Sequence, residues 1–322
     1  MLPIINKLKN HKGSILIFTH ENPDADGIGS MLALYRFLKK KGKNVDVAMK
    51  DDLPYVLNFL PDSDKIKKLP TNKKYDLGII VDAAGKFRAG VDVDAKEFIR
   101  IDHHIGGEFY GGFDCVDTTA PSTTYVVANI LRDWDEEAID KDIATNLYTG
   151  LITDTGSFRH NNVDERSFEL AEYLVRKGVD PAYVARMVFE RNKPNVIHLL
   201  QRSLSTLKTY DEGKIAGMVV ERSFLNETGT KEEDTEGFVN YPRSIDGVDV
   251  AFLMIQREDP EMWRVSLRGK GDIDVRQIAS AFGGGGHRDA AGCRIKGTKE
   301  EVENKLVNKI KEEIKKQKGV NV

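Results

Sequence analysis

The chain has few cysteines and no long apolar run, and each shortage excludes a class of protein. Its two cysteines, Cys115 and Cys293, lie far apart in the 322 residues, which argues against a disulfide framework and favours a reducing compartment. No apolar run approaches the roughly 20 residues that a bilayer-spanning helix needs. Residues 1–7 lack the architecture of a signal peptide. We therefore expect a cytoplasmic protein that is not associated with a membrane.

The chain also has little net charge. Its 48 basic and 51 acidic residues give a net charge of −3, which disfavours a broad surface for long double-stranded nucleic acid. Any nucleotide substrate must then be held by a local pocket. A composition of 40% hydrophobic and 31% charged residues is typical of globular proteins, and the length allows two domains with separate cores.

The most informative stretch is residues 20–30, which read HENPDADGIGS. It follows a predicted strand at 14–19 and precedes a predicted helix, and ligands of open α/β sheets usually bind at such a turn. Because Asp24 and Asp26 are two residues apart in a loop, they can reach two different ions. Together with His20, these oxygen ligands suit Mn²⁺ or Mg²⁺. Alternatively, the two aspartates only cap the helix and stabilise the turn.

Matching residues follow further strands and a helix. The predicted strand 76–82 ends in Asp82, and the strand 96–101 runs into Asp102-His103-His104. Parallel strands would bring these ends to one edge of a sheet. Asp82 taken singly could be a helix cap, but adjacent imidazoles beside a carboxylate are costly to bury unless they bind a ligand or are hydrogen-bonded. Asp154 follows shortly after a predicted helix at 140–152, and its alternative role is that of a turn residue.

These patterns predict an α/β protein with a mostly parallel N-terminal sheet flanked by helices. We expect this first domain to span residues 1–190, a connector helix to span 191–207, and a smaller α+β domain to span 208–322. The other predicted elements are strands at 44–49, 113–116, 215–221, 250–257 and 263–267, and helices at 122–132, 165–177, 181–190, 273–281 and 299–315.

A second constellation is the run of four glycines at 283–286, followed by His287 and Arg288. Consecutive glycine amides can point at one anion and form a nest, and the two basic side chains can add charge-assisted hydrogen bonds to a phosphate. Arg268, at the end of a predicted strand, is a second candidate phosphate ligand. The alternative is a flexible loop without a ligand.

Together these segments resemble the DHH phosphoesterase superfamily, in the right order and over nearly the whole chain. The resemblance includes the 20–30 turn, Asp82, Asp102-His103-His104 and the TDTG sequence around Asp154. The glycine run with Ala290-Ala291-Gly292 is similar to the DHH-associated C-terminal domain. Length and layout are most similar to the oligoribonuclease and adenosine bisphosphate phosphatase branch, called NrnA-type.

The resemblance implies a role for each residue and two Mn²⁺ ions, with Mg²⁺ as the alternative. One ion would take His20, Asp24 and Asp82, and the other Asp26, Asp82, His103 and Asp154. His104 would contact the scissile phosphate as a donor or general acid, and Asp102 would orient the neighbouring histidines. The DHH-associated domain would hold a phosphate or nucleotide through Arg268, Gly284, Gly285, Gly286 and His287. A homodimer is also implied.

The implied function is a Mn²⁺-dependent phosphodiesterase that hydrolyses very short oligonucleotides, such as the dinucleotide pApA, to mononucleotides by hydroxide attack between two metals. Removal of the 3′-phosphate from adenosine 3′,5′-bisphosphate is a second activity that the same site could have. The alternatives are a cyclic di-AMP phosphodiesterase, a family II inorganic pyrophosphatase, and a nucleotide-binding sensor without turnover. Product analysis would separate the enzymes, and binding without hydrolysis would identify a sensor.

Overall fold

The computed structural model describes residues 1–271, 273–286 and 288–319. The chain divides into two units, residues 1–191 and the residues from 192 onward. Each unit contains a six-stranded sheet with its own buried apolar residues. Among the described residues, no helix combines the length and apolar character that crossing a membrane would require.

The sheet of the first unit is entirely parallel. Its strands are β1 (Ser14–Phe18), β2 (Asn44–Met49), β3 (Ile66–Lys68), β4 (Tyr75–Val81), β5 (Ala95–Asp102) and β6 (Cys115–Val116). They are arranged in the order β3-β2-β1-β4-β5-β6. The central strands β1 and β4 are almost wholly buried, as expected of parallel strands that are covered on both faces.

Six α-helices accompany this sheet. They are α1 (Leu2–Asn10), α2 (Ala25–Lys40), α3 (Thr123–Asp135), α4 (Lys141–Asp154), α5 (Glu165–Arg176) and α6 (Pro181–Phe189). Ser122 caps α3 by accepting a hydrogen bond from the Tyr125 amide, as its position before the helix predicts. Apolar residues of α2, α3 and α4 form one core with the sheet.

The strand order reverses between β1 and β4. The chain runs outward from β1 through β2 to β3, and then returns to place β4 on the other side of β1. Loops at the carboxyl ends of two such strands diverge and leave a crevice in which ligands of open α/β sheets bind. The predicted ligand residues of β1 and β4 follow these two strands.

The second unit has a mixed sheet: of its described strands, only β8 and β9 pair in parallel. The strand order is β11-β12-β10-β9-β8-β7. In chain order, the elements are α7 (Pro194–Leu204), β7 (Lys208–Tyr210), β8 (Ile215–Val220), α8 (Arg222–Thr228), α9 (Asn240–Arg243), β9 (Val250–Gln256), β10 (Met262–Gly269), α10 (Val275–Ser280), β11 (Gly285–Gly286), β12 (Ala290–Lys296) and α11 (Lys299–Gln317).

Helices cover both faces of this sheet. Apolar residues of α10 and α11 share one cluster with β10 and β12, whereas those of α7 and α8 share another with β8 and β9. The predicted fold class, a parallel α/β domain followed by an α+β domain, is confirmed. The sequence patterns did not predict α1, β3, α8, α9, β11 and β12. The last two strands were missed because residues 283–292 were assigned to a glycine-rich loop.

Candidate metal centre

The carboxyl edge of the first sheet collects the predicted ligands. His20 follows β1, Asp82 follows β4, and His103 follows β5 directly. Among the described residues, three groups of side chains have ligand atoms within 4.8 Å of one another: His20 with Asp24 and Asp82, Asp26 with His103 and Asp154, and Asp82 with His103 and His104. The structure therefore brings all six predicted metal ligands together with His104, and Asp82 belongs to two groups.

The first group combines one imidazole with two carboxylates. His20 Nε2 lies 3.6 Å from Asp82 Oδ2 and 4.0 Å from Asp24 Oδ1, while His20 Nδ1 lies 2.8 Å from the Glu21 carbonyl oxygen. Asp24 also caps α2, since its Oδ1 accepts hydrogen bonds from the amides of Asp26 and Gly27, each at 3.0 Å. The capping role and the position facing His20 therefore occur in the same side chain.

The second group is arranged around His103. Its Nε2 lies 3.7 Å from Asp154 Oδ2 and 3.8 Å from Asp82 Oδ1. Its Nδ1 lies 3.2 Å from the carbonyl oxygen of Ala120. A backbone carbonyl at one ring nitrogen is the usual arrangement for a metal-ligating histidine, because it leaves the other nitrogen as the ligand.

Asp26 is held by the amino terminus of α3. Its Oδ2 accepts a hydrogen bond from the Thr123 amide at 2.6 Å and its Oδ1 one from the Thr124 amide at 2.9 Å, and the Thr123 hydroxyl donates to Asp82 Oδ1 at 2.9 Å. The positive end of a helix dipole favours a carboxylate here. The sequence analysis identified this helix start but not its role. The PSTT run at 121–124 was the available signal.

Close packing at Asp26 also requires a glycine in α4. A Cβ at Gly150 would lie 2.8 Å from Asp26 Oδ1 and 2.4 Å from Thr124 Cγ2. Both are closer than ordinary van der Waals contact, so a larger residue at 150 would displace the Asp26 carboxylate or the start of α3. Gly150 therefore determines how closely α4 approaches this group.

The electrostatics of the site fit divalent cations. Desolvation, reinforced by repulsion from Asp26 and Asp24, raises the pKa of Asp82 well above its usual value. Burial likewise raises the pKa of Asp154 to about 8, although His103 opposes the shift. The pKa of His103 rises to about 9, because Asp154, Asp26 and Asp82 outweigh its desolvation. Several buried carboxylates thus compete for too little positive charge, and a hard cation with oxygen and imidazole ligands would supply it.

The pKa values of Asp24 and Asp26 shift in opposite directions, and only Asp26 follows Asp82. Desolvation acts on Asp24 too, but His20 and the Gly27 amide overcome it and lower the pKa of Asp24. The pKa of Asp26 is raised by desolvation and by Asp24, against the attraction of His103. Asp24, which caps α2, therefore ionises more readily than Asp26.

Asp102 is fully buried and orients both histidines that follow it. Its Oδ1 accepts hydrogen bonds from the amides of His103 at 2.8 Å and His104 at 3.1 Å, and lies 2.7 Å from His104 Nδ1. Its Oδ2 accepts two hydrogen bonds from Arg100. These contacts, opposed by desolvation, hold the pKa of Asp102 below its usual value. The role of Arg100 was not predicted from the sequence. The available sign was its position as a charged residue inside an apolar strand.

Asn162 is a second residue that the sequence analysis missed. Its Nδ2 donates to Asp154 Oδ2 at 3.1 Å, to the Asp154 carbonyl oxygen at 3.2 Å and to the Pro121 carbonyl oxygen at 2.8 Å. It thereby connects the end of α4 to the segment that leads into α3. Nothing in the sequence pattern singles out this residue, because its partners are 8 and 41 residues away.

In the second unit, the glycine run differs from its prediction. The amides of Gly283 and Gly284 donate to the carbonyl oxygens of Ser280 at 3.0 Å and Ala279 at 2.9 Å, and Gly285–Gly286 pairs with β12 as β11. Two of the four glycine amides therefore already end α10 and are not available to the predicted anion nest. His287 lies outside the described residues.

Arg268 lies on β10, two positions beyond Ser266 on the same face and four beyond Arg264. Desolvation lowers its pKa, and the like charges of Arg243 and Arg264 add to the shift, while Glu236 opposes it. This part of the second unit is therefore rich in guanidinium groups, as a phosphate-binding surface would be.

Comparisons with known proteins agree with this arrangement. The DHH family, N-terminal domain, matches residues 14–151, and the DHHA1 domain matches residues 212–316. The matched ranges include His20 to Asp82, the Asp102-His103-His104 segment and the glycine run. The resemblance stated from the motifs is confirmed.

Individual relatives extend over nearly the whole chain. A Thermus thermophilus protein named bifunctional oligoribonuclease and PAP phosphatase NrnA is 35% identical, over 90% of this chain and 86% of that protein. The cyclic-di-AMP phosphodiesterase PdeA of Listeria monocytogenes is 25% identical, over 95% of this chain and 48% of that protein. The structure of an exopolyphosphatase-related protein from Bacteroides fragilis superposes with a TM-score of 0.87 at 27% identity, covering 99% and 98% of the two chains.

Proposed function

The chain belongs to the DHH family, whose members are phosphoesterases, and we propose that it hydrolyses very short oligonucleotides to mononucleotides. The 35% identity to an oligoribonuclease over 90% of the chain carries this proposal. The cluster of carboxylates and imidazoles at the β1–β4 crevice supports it chemically. Removal of a 3′-phosphate from adenosine 3′,5′-bisphosphate is proposed as a second activity of the same residues, in line with the PAP phosphatase name of that relative.

We propose two Mn²⁺ ions as cofactors, with Mg²⁺ as the alternative. The first would be held by His20, Asp24 and Asp82. The second would be held by Asp26, His103 and Asp154, with Asp82 shared between the two. A pair of divalent cations supplies an activated water and neutralises charge on the phosphate.

The residues of the chain contribute orientation and proton transfer. Asp102 holds His104 through Nδ1 at 2.7 Å, and the His104 side chain is 31% exposed. In this arrangement the imidazole donates a hydrogen bond to the scissile phosphate or a proton to the leaving oxygen. Asp102 is thereby a positioning residue, since it acts through His104.

We propose that the second unit binds a substrate phosphate. Arg268 is supported by its position on β10 and by the neighbouring Arg243 and Arg264. Among the glycines, we propose that Gly285 and Gly286 contact the phosphate, whereas the Gly284 amide is already bonded within the unit. His287 is proposed as a phosphate ligand from the sequence pattern alone.

A cyclic dinucleotide is the second candidate substrate. The similarity to PdeA, which spans 95% of this chain, favours it. In that case the metal centre would be the same, and the first product would be a linear dinucleotide.

The proposal is tested by a product time course with Mn²⁺ and with a chelator. The substrates are 5′-phosphorylated diadenylate, cyclic di-AMP and adenosine 3′,5′-bisphosphate. We expect fast, Mn²⁺-dependent release of AMP from the linear dinucleotide. Faster loss of the cyclic compound would favour the second candidate, and binding without hydrolysis of any substrate would contradict both.

Light scattering after size exclusion tests the proposed homodimer, which predicts twice the mass of one chain.

A further inference from the structure

Arg100 is an unusual residue of the first unit. It lies in β5, and its side chain is only 4% exposed, although arginine is almost never fully buried unless it is paired. The family resemblance gives it no role. Its partners explain the burial.

The guanidinium group donates to one carboxylate and several carbonyl oxygens. Nε donates to Asp102 Oδ2 at 2.9 Å and to the Ala83 carbonyl oxygen at 3.0 Å. Nη1 donates to the Gly106 carbonyl oxygen at 2.6 Å. Nη2 donates to Asp102 Oδ2 and, at 3.3 Å, to the His104 carbonyl oxygen.

Asp102 ends β5, and the carbonyl partners belong to turns that carry site residues. Ala83 follows Asp82, whereas His104 and Gly106 belong to the turn after β5. The turn is shaped around the guanidinium group: a Cβ at Gly107 would lie 2.5 Å from Arg100 Nη1 and 2.2 Å from the Ala84 carbonyl oxygen. Gly107 also has a φ of +99°, which favours glycine.

We propose that Arg100 is a positioning residue of the phosphoesterase reaction, acting on His104 through Asp102. By occupying Oδ2, it orients the carboxylate so that Oδ1 faces the His103 and His104 amides and His104 Nδ1. This inference rests on the proposed function. Lysine can replace arginine only in part, because an ammonium group lacks the planar donors that reach Asp102, Ala83 and Gly106 together.

The first test is the Arg100→Met variant at saturating Mn²⁺ with the linear dinucleotide. We expect kcat to fall about 10- to 100-fold, as for other residues behind a metal site, with KM within about twofold of wild type. Arg100→Lys should recover only part of the loss. Unchanged kcat in Arg100→Met would overturn the proposal.

The matched control is Arg36→Met. Arg36 also pairs with several carboxylates, Asp62, Asp140 and Asp142, and none of these belongs to the candidate metal centre. We expect a lower melting temperature with unchanged kcat. If both variants lost kcat in proportion to stability, Arg100 would be only structural.

A double-mutant cycle tests the route through His104. In a His104→Ala background, Arg100→Met should cost little further activity, because the residue it positions is already missing. Losses that multiply, as expected for independent residues, would contradict the route.

A measurement without turnover separates this inference from the proposed function. In metal-free protein with ¹⁵N-labelled histidine, Arg100→Met should shift the ring nitrogen resonances of His104, and Arg36→Met should not. If His104 shows that shift but the protein hydrolyses none of the three substrates, the contact between Arg100 and His104 stands and the proposed function is rejected. Unchanged His104 resonances in an active enzyme would reject only the role of Arg100.

Discussion

Asp82 shows how one residue can serve both groups of ligands. It follows β4 with a φ of +55°, in the left-handed region that aspartate tolerates better than most residues. Its Oδ2 faces His20, and its Oδ1 faces His103 and the Thr123 hydroxyl. The two carboxylate oxygens therefore point to the two groups separately.

We expect Asp82→Asn to abolish most activity. The amide keeps the shape of the side chain but removes the charge shared by both proposed ions, a loss of several kcal/mol in transition-state stabilisation, or about a thousandfold in kcat. The measurement is the initial rate of AMP release at saturating Mn²⁺.

The control for this variant is Asp76→Asn, at the other end of the same strand. Asp76 accepts hydrogen bonds from the Ser14 amide and from Lys96, away from the ligand cluster. Its variant should keep the wild-type rate. Wild-type turnover by Asp82→Asn would refute the assignment of Asp82 to both ions.

At the scale of elements, the amino terminus of α3 acts as part of the site. Its first amides hold Asp26, its Thr123 hydroxyl holds Asp82, and Ser122 caps the helix. A helix start that is both capped and bonded to two carboxylates places α3 and the strand ends in one rigid arrangement. The stability of this cap should therefore affect activity.

We expect Ser122→Ala to lower both stability and activity. Loss of the cap should cost about 1 kcal/mol in the free energy of unfolding and lower kcat about tenfold, because Asp26 and Asp82 lose precise support. Denaturant titration and initial rates measure the two effects.

Thr298→Ala provides a matched comparison. Thr298 caps α11 in the second unit in the same way, accepting a hydrogen bond from the Glu301 amide. A similar loss of stability without loss of kcat is expected. If the two variants lost kcat equally, the effect at Ser122 would reflect general destabilisation.

At the scale of the whole molecule, a net charge of only −3 conceals a strong local imbalance. Asp26, Asp82 and Asp154 are grouped at one edge of the first sheet, and the pKa of each is raised by desolvation. Without a cation, the folded protein keeps protons there that the unfolded chain would release. The stability of the protein should therefore depend on pH and metal together.

We expect the metal-free protein to lose stability as pH rises from about 6 to 9. The folded-state pKa of Asp154 is about 8, against 3.8 for the free side chain, and that of His103 is about 9, against 6.5. In this window the native state binds more protons than the unfolded state, so the free energy of unfolding falls with rising pH. Thermal melting in the presence of a chelator measures the slope.

Addition of Mn²⁺ should have the opposite dependence. Metal binding requires deprotonated ligands, so the increase in melting temperature should grow with pH over the same window. Asp154→Asn should flatten the metal-free slope. A melting temperature that rises with pH in chelator would contradict the raised pKa values.

The sequence alone predicted the main elements and the candidate ligand residues. Apolar runs marked the central strands, and hydroxyl or carboxylate residues marked helix starts such as Ser122. His20, Asp82 and Asp102-His103-His104 could be placed together because parallel strands of one sheet end at the same edge. Each of these signals is local, because it depends on residues within or next to the helix or strand that it predicts.

Only the tertiary structure decided what supports those ligands. The amides of Thr123 and Thr124 are backbone groups with no signature of their own, and they reach Asp26 across nearly 100 residues. Arg100 and Asn162 have partners set by how turns and helices meet, and the glycine run used two amides to end α10. Sequence patterns report which face of an element is buried, but the partner of a buried polar group depends on three-dimensional packing.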